Sequence, residues 1–156
     1  MTNIYFPDEK IKKDDLFFIC YMIERVARRL HQKNKYIVNQ IGKKEFEHLI
    51  SIANVLHAMN PISVEDQWIE DYLLKEGSFD ITKVDRELVE KIPSPIQMGK
   101  VYQRLISDTL QPGETEVSGI LRVYNNSICD VIDNYNCSAY YEPSYVIARA
   151  YQDGGF

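Results

Sequence analysis

Glycine is scarce in this chain, seven residues in 156, and the sequence holds neither a glycine-rich phosphate loop nor a Gly-x-Gly-x-x-Gly dinucleotide fingerprint. Long apolar runs are missing too. The first charge-free apolar run, Leu16 to Ile23, falls far short of the ~20 residues that span a bilayer. A secretory signal needs a basic start and an apolar stretch, and the N-terminus instead carries Asp8, Glu9, Asp14 and Asp15. Cysteine is sparse and odd in number: Cys20, Cys129 and Cys137 show no close pairing pattern, which fits unpaired thiols in a reducing compartment. A cytoplasmic protein without membrane attachment is expected. There is no internal repeat, no low-complexity tract and no strand pattern of any length.

What is present is an ordinary globular composition, 45% hydrophobic and 26% charged. The length favours one domain, residues 1–156, burying roughly two-thirds of its unfolded surface. The net charge of -5 is unevenly spread: residues 1–50 hold ten Lys/Arg against seven Asp/Glu, and residues 51–156 hold eight against sixteen. Most of the surface therefore repels nucleic acid and suits a basic partner.

Helical periodicity runs through the first half. Behind a cap at Asp14 or Asp15, the residues Leu16, Ile19, Cys20, Ile23, Val26, Ala27 and Leu30 repeat as one buried face. A short helix over 35–41 is expected to stop at Gly42, and another over 43–59, with Phe46, Leu49, Ile50, Ala53 and Leu56 inward, to break at Asn60-Pro61. Ser63 to Asp66 reads as a variant capping box opening a helix that buries Trp68, Ile69, Tyr72 and Leu73 and ends at Gly77. In the second half a helix is expected from Asp80 or Thr82 to Ile92. Ser94-Pro95 starts another that reaches about Leu110. Residues 114–135 read as one helix or as two broken near Asn125-Asn126, and a last helix begins near Pro143 and stops at Gly154-Gly155. The fold class is all-α: a compact bundle of seven or eight helices around one core.

No reaction is spelled out, and neither a catalytic residue nor a cofactor is expected. Glu45 and His48 have the i, i+3 spacing of carboxylate-bridged metal bundles, but no second Glu-x-x-His faces them, and a solvated face accounts for both. Cys129 and Cys137 have no histidine nearby, so zinc is no better supported. Arg25, Arg28 and Arg29 share one helical face and could touch phosphates. A solvated face is the blander account, and no helix-turn-helix signature accompanies them. His57 reads as structural, at the edge of a core face.

The tail is the richest stretch. Residues 122–156 hold six of the eleven tyrosines, interleaved with Asn, Ser and Gly. Tyr and Asn provide amphipathic area and adaptable hydrogen bonds at low entropic cost, the composition of contact surfaces. Tyr140, Tyr141, Tyr145 and Tyr151 are the candidate partner-binding residues. The competing reading makes Tyr124, Tyr135 and Tyr145 core residues whose hydroxyls reach the surface.

Leu16 to Glu24, then Val55-Leu56-His57, then Ser63 to Leu73 together resemble a small bacterial family of uncharacterised helical domains. The match covers about residues 14–76, leaving 80–156 as a second helical half. Members look to be encoded beside a predicted ADP-ribosyltransferase-like protein. The resemblance implies the non-enzymatic member of a toxin–antitoxin-like or effector–immunity-like pair, and it assigns no role to Glu24 or His57. The expected function is therefore a helical interaction protein with a protein partner. A nucleic-acid regulator using the three arginines and an enzyme of unrecognised type stand behind it.

Overall fold

The computed structural model describes residues 10–156, so Asp8 and Glu9 lie outside the described residues. The first helix, α1 (Lys13–Leu30), has Lys12 as its N-cap; Asp15 acts from the third helical position, accepting the Lys12 backbone N–H at 2.8 Å. The whole predicted apolar face is buried, and so are Phe18, Met22 and Glu24 on other faces. That burial on several sides follows from position: α1 is the central helix, with neighbours all around it.

Helix α2 (Asn34–Ser51) is interrupted at Gly42, as expected: the backbone leaves helical geometry there, at φ 82° and ψ 167°, a conformation that glycine adopts without a Cβ clash, and a second helical piece follows. The helix expected over 43–59 breaks at Ile52, leaving a short α3 (Ala53–His57). Helix α4 (Pro61–Asp71) begins two residues before the predicted capping box. Asn60 caps it by accepting the Ile62 N–H at 2.9 Å, with Pro61 in the first helical position, so the dipeptide read as a breaker is the start signal. Trp68 is buried edge-on to Phe46, their rings 6.2 Å apart. Leu73 is not buried as expected: the helix ends before it, and it stands 73% exposed at φ 53°.

The helix expected from Asp80 or Thr82 to Ile92 does not form. Asp80 Oδ1 accepts from both the Thr82 N–H (3.0 Å) and its hydroxyl (2.6 Å), and Asp85 accepts from the Glu87 N–H at 2.9 Å. Such local turns compete with helical pairing. Helix α5 (Pro95–Thr109) starts where predicted, with Ser94 accepting the Gln97 N–H at 3.1 Å. Helices α6 (Glu116–Tyr124) and α7 (Cys129–Ile132) flank the predicted break at Asn125-Asn126. A 3₁₀ turn (Ala139–Tyr141) leads into α8 (Ser144–Asp153), which ends at Gly154 with φ 88°.

The architecture is all-α, eight helices around one core, with no strand among the described residues. Helix α5 runs antiparallel along α1: Arg28 meets Pro93, Tyr21 meets Gly99 and Phe17 meets Lys100. The helices approach closely at Gly99, where an added Cβ would sit 3.0 Å from the Tyr21 backbone. Helix α2 packs on α6 and α8 on α5. No helix among the described residues is long and apolar enough to cross a membrane.

Candidate functional site

Two polar regions of α1 and α5 separate cleanly. The first is buried. Glu24, 1% exposed, accepts from Arg28 Nε at 3.0 Å and from the Asn34 amide at 3.1 Å. Arg28 also donates to the Pro93 carbonyl (2.8 Å) and to the Tyr135 hydroxyl (3.0 Å). The Asn34 amide reaches on to Asp133 at 3.4 Å, and Asp133 accepts the Tyr102 hydroxyl at 2.7 Å. Burial first, and the Glu24 charge second, hold the Asp133 carboxyl well above the usual carboxylate range. Burial pushes the Cys20 and Cys129 thiols up to about 12, leaving both as inert core groups.

Asp133 lines two cavities, of about 270 and 150 Å³, that share the Lys33–Asp130 ion pair (3.5 Å). A carboxyl with raised titration facing a cavity is one half of an acid–base site. Among the described residues no histidine lines either cavity, and no serine or cysteine nucleophile pairs with a base there.

The second region is open. A groove of about 430 Å³ lies between the outer face of α5 and the chain from Tyr140 into α8. Ile96, Lys100 and Arg104 fall at i, i+4 and i+8 and form one wall; Tyr140, Tyr141 and Glu142 form the other, with Val101, Leu105 and Ile147 between them. Tyr141 is 76% exposed and Ile96 56%, whereas Tyr140 is half-buried, its ring edge-on to that of Tyr135 at 5.4 Å. The Lys100 ammonium lies 4.8 Å over the Phe17 ring. Arg104 makes no ion pair or hydrogen bond among the described residues.

Of the predicted contact tyrosines, Tyr140 and Tyr141 meet in this groove. Tyr145 is exposed but does not line it, and Tyr124 and Tyr135 are core residues. Tyr151 serves the fold: its hydroxyl accepts from Arg122 at 2.8 Å, while Arg122 grips Glu114 at 2.7 Å and the Thr109 carbonyl at 3.2 Å. The α1 arginines are all occupied. Arg25 pairs with Glu65 at 2.6 Å, Arg29 with Asp66 at 2.7 Å, and Arg28 joins the buried cluster. His57 is exposed, with its ring against Phe18 at 4.9 Å. Among the described residues no group of three His, Cys, Asp or Glu side chains could hold a metal ion.

The α5 wall was missed in the sequence, although a signal exists: Ile96, Lys100 and Arg104 repeat every four residues opposite the buried Met98, Tyr102 and Leu105. The pattern shows a polar face, and only the fold shows that the tail lies across from it. No family model matches the chain, and no curated protein and no solved structure matches it.

Proposed function

We propose that this chain is an interaction protein whose groove between α5 and the Tyr140–Tyr141 segment holds a protein partner. The observation that carries the reading is the exposed apolar rim of Ile96 and Tyr141 around a cavity in the size class of binding sites, roughly 300–1,000 Å³. Exposed apolar side chains gathered at a concavity mark contact surfaces far better than the same residues scattered. The finer form of the reading comes from the resemblance of residues 14–76: a non-enzymatic, antitoxin- or immunity-like chain that neutralises an ADP-ribosyltransferase-like partner.

The test is affinity capture from the source cells with wild type and with Ile96→Asp/Tyr141→Ala, both sites being exposed and outside the core. A stoichiometric protein retained by the wild type and lost with the double variant supports the reading. Equal capture by both removes the groove from it, and an ADP-ribosyltransferase-like protein in the captured band supports the neutralising form.

Acid–base chemistry at Asp133 is a second reading, drawn from its cavity-facing position and raised carboxyl. It predicts loss of a turnover with Asp133→Asn at unchanged fold. Phosphate binding by Arg25, Arg28 and Arg29 draws no support from side chains already engaged with Glu65, Glu24 and Asp66.

A further inference from the structure

The two walls of the groove differ in chemistry, and the difference bears on what fits there. On α5, Lys100 and Arg104 stand one turn apart, both exposed, with no carboxylate engaged by either among the described residues. This contrasts with Arg25, Arg28, Arg29 and Arg122, each of which is matched to a Glu or Asp. Among the described residues Glu142 is the one carboxylate that lines the groove. Within residues 51–156, which hold sixteen acidic residues against eight basic ones, this is a local reversal of sign.

The aromatic wall offers Tyr140 and Tyr141 with both hydroxyls uncommitted to protein partners among the described residues. Tyr141 on this wall and Ile96 on the other stand 76% and 56% exposed. An occupant that touches both lies along an open groove with solvent beside it, which suits a chain segment better than an enclosed small molecule.

We infer that the groove takes an acidic peptide segment carrying one apolar or aromatic anchor. The anchor enters between Tyr140 and the floor of Val101, Leu105 and Ile147, and carboxylates of the segment face Lys100 and Arg104. Arg104 is free to grip a carboxylate through two parallel N–H donors, which the Lys100 ammonium cannot do. The inference rests on the reading of this groove as the partner surface and reverses, at this one place, the expectation of a basic partner.

The experiment is fluorescence anisotropy on the full chain with two pools of labelled nonapeptides. Both have a central Phe, Tyr, Trp or Leu; one is flanked by Asp, Glu and Ser, the other by Lys, Arg and Ser. The acidic pool is expected to bind, to weaken by about tenfold or more with Arg104→Glu, and to weaken again as salt is raised. Ile96→Asp/Tyr141→Ala should reduce binding through the anchor. Preference for the basic pool, no binding of either pool, or an unchanged affinity for the acidic pool with Arg104→Glu would each overturn the assignment. Competition by free phenylpropionate as strong as by the peptides would reassign the groove to small organic acids. The two levels fail separately: capture lost with Ile96→Asp/Tyr141→Ala but no acidic preference sinks only the charge assignment, whereas capture untouched by that variant sinks the groove.

Discussion

Arg28 and Arg104 carry the same side chain on the two helices that pack most intimately, and their surroundings could hardly differ more. Arg28 is held on several sides, by Glu24, the Pro93 carbonyl and Tyr135. Arg104 is tied to nothing among the described residues and faces a groove walled by Tyr140 and Tyr141. Tyrosines divide the same way. Tyr102, Tyr124 and Tyr135 are enclosed, Tyr102 and Tyr124 stacking at 4.5 Å, while Tyr141 stands out in solvent. Residue type alone therefore says little about role in this protein; what separates structure from contact surface is whether a polar group's bonding capacity is already used internally.

The largest expected break of that comparison is Arg28→Ala. It leaves Glu24 buried without its cation and should cost about 3–5 kcal/mol in urea unfolding. Arg28→Lys should also be costly, since an ammonium cannot span Glu24, Pro93 and Tyr135 as a guanidinium does. If Arg28→Ala unfolds like wild type, the buried cluster is not what fastens α1 to the loop before α5.

Next in size is Gly99→Ala, on the inner face of the helix whose outer face bears Arg104. The added methyl meets the Tyr21 backbone, and overpacking of this kind costs about 1–3 kcal/mol. A neutral effect on the thermal midpoint would mean that α5 can move off α1 without loss.

Asp133 sharpens the comparison through pH. Burial and the Glu24 charge raise its carboxyl in the folded state, so folding favours the protonated form. That contribution is complete at pH values below the ordinary carboxylate range, near 4, and drains away as pH rises through the higher folded value. Stability should accordingly fall between acid and neutral pH, with Asp133→Asn flattening the slope. Glu114 acts in the opposite sense. Its hydrogen bonds from Arg122 lower its carboxyl, so its contribution is present above the ordinary range and is lost as pH falls. A profile unchanged by Asp133→Asn would place the titrating group elsewhere.

The smallest effect on stability is expected from Arg104→Ala, within about 0.5 kcal/mol of wild type as for other exposed sites. Its consequence should appear in binding instead. Measurable destabilisation would show that the guanidinium supports the fold after all.

Helix α1 was legible through its apolar period, because burial on one face imposes that period, and α5 through its ends, the Ser94-Pro95 start and the stop near Leu110. Local signals decided less well where two of them competed. Asn60-Pro61 serves as a breaker for one helix and a start for the next, and Asp80 with Thr82 can cap a helix or close a turn on itself. Glu24 was not legible as buried: Arg28 is one turn away on the same helix, but Asn34 reaches it from the start of α2 and Tyr135 from 111 residues on, and a glutamate inside an apolar run reads as a solvated position. The groove was half legible. Tyr140 and Tyr141 stood out by composition, whereas Lys100 and Arg104 became part of the same surface only through the docking of α8 on α5.

The antiparallel seating of α5 on α1 also bears on how the chain comes to exist. During synthesis α1 is made first, but Pro93 and Tyr135, which bond Arg28, are made 65 and 107 positions after it, and Gly99, which packs on Tyr21, falls between them. Until α5 and the segment through Tyr135 have emerged, the apolar face of α1 can be covered only in part, by α2 to α4. The nascent first half is thus the species most exposed to aggregation or chaperone capture, and completion of the tail closes the core and forms the groove in the same event.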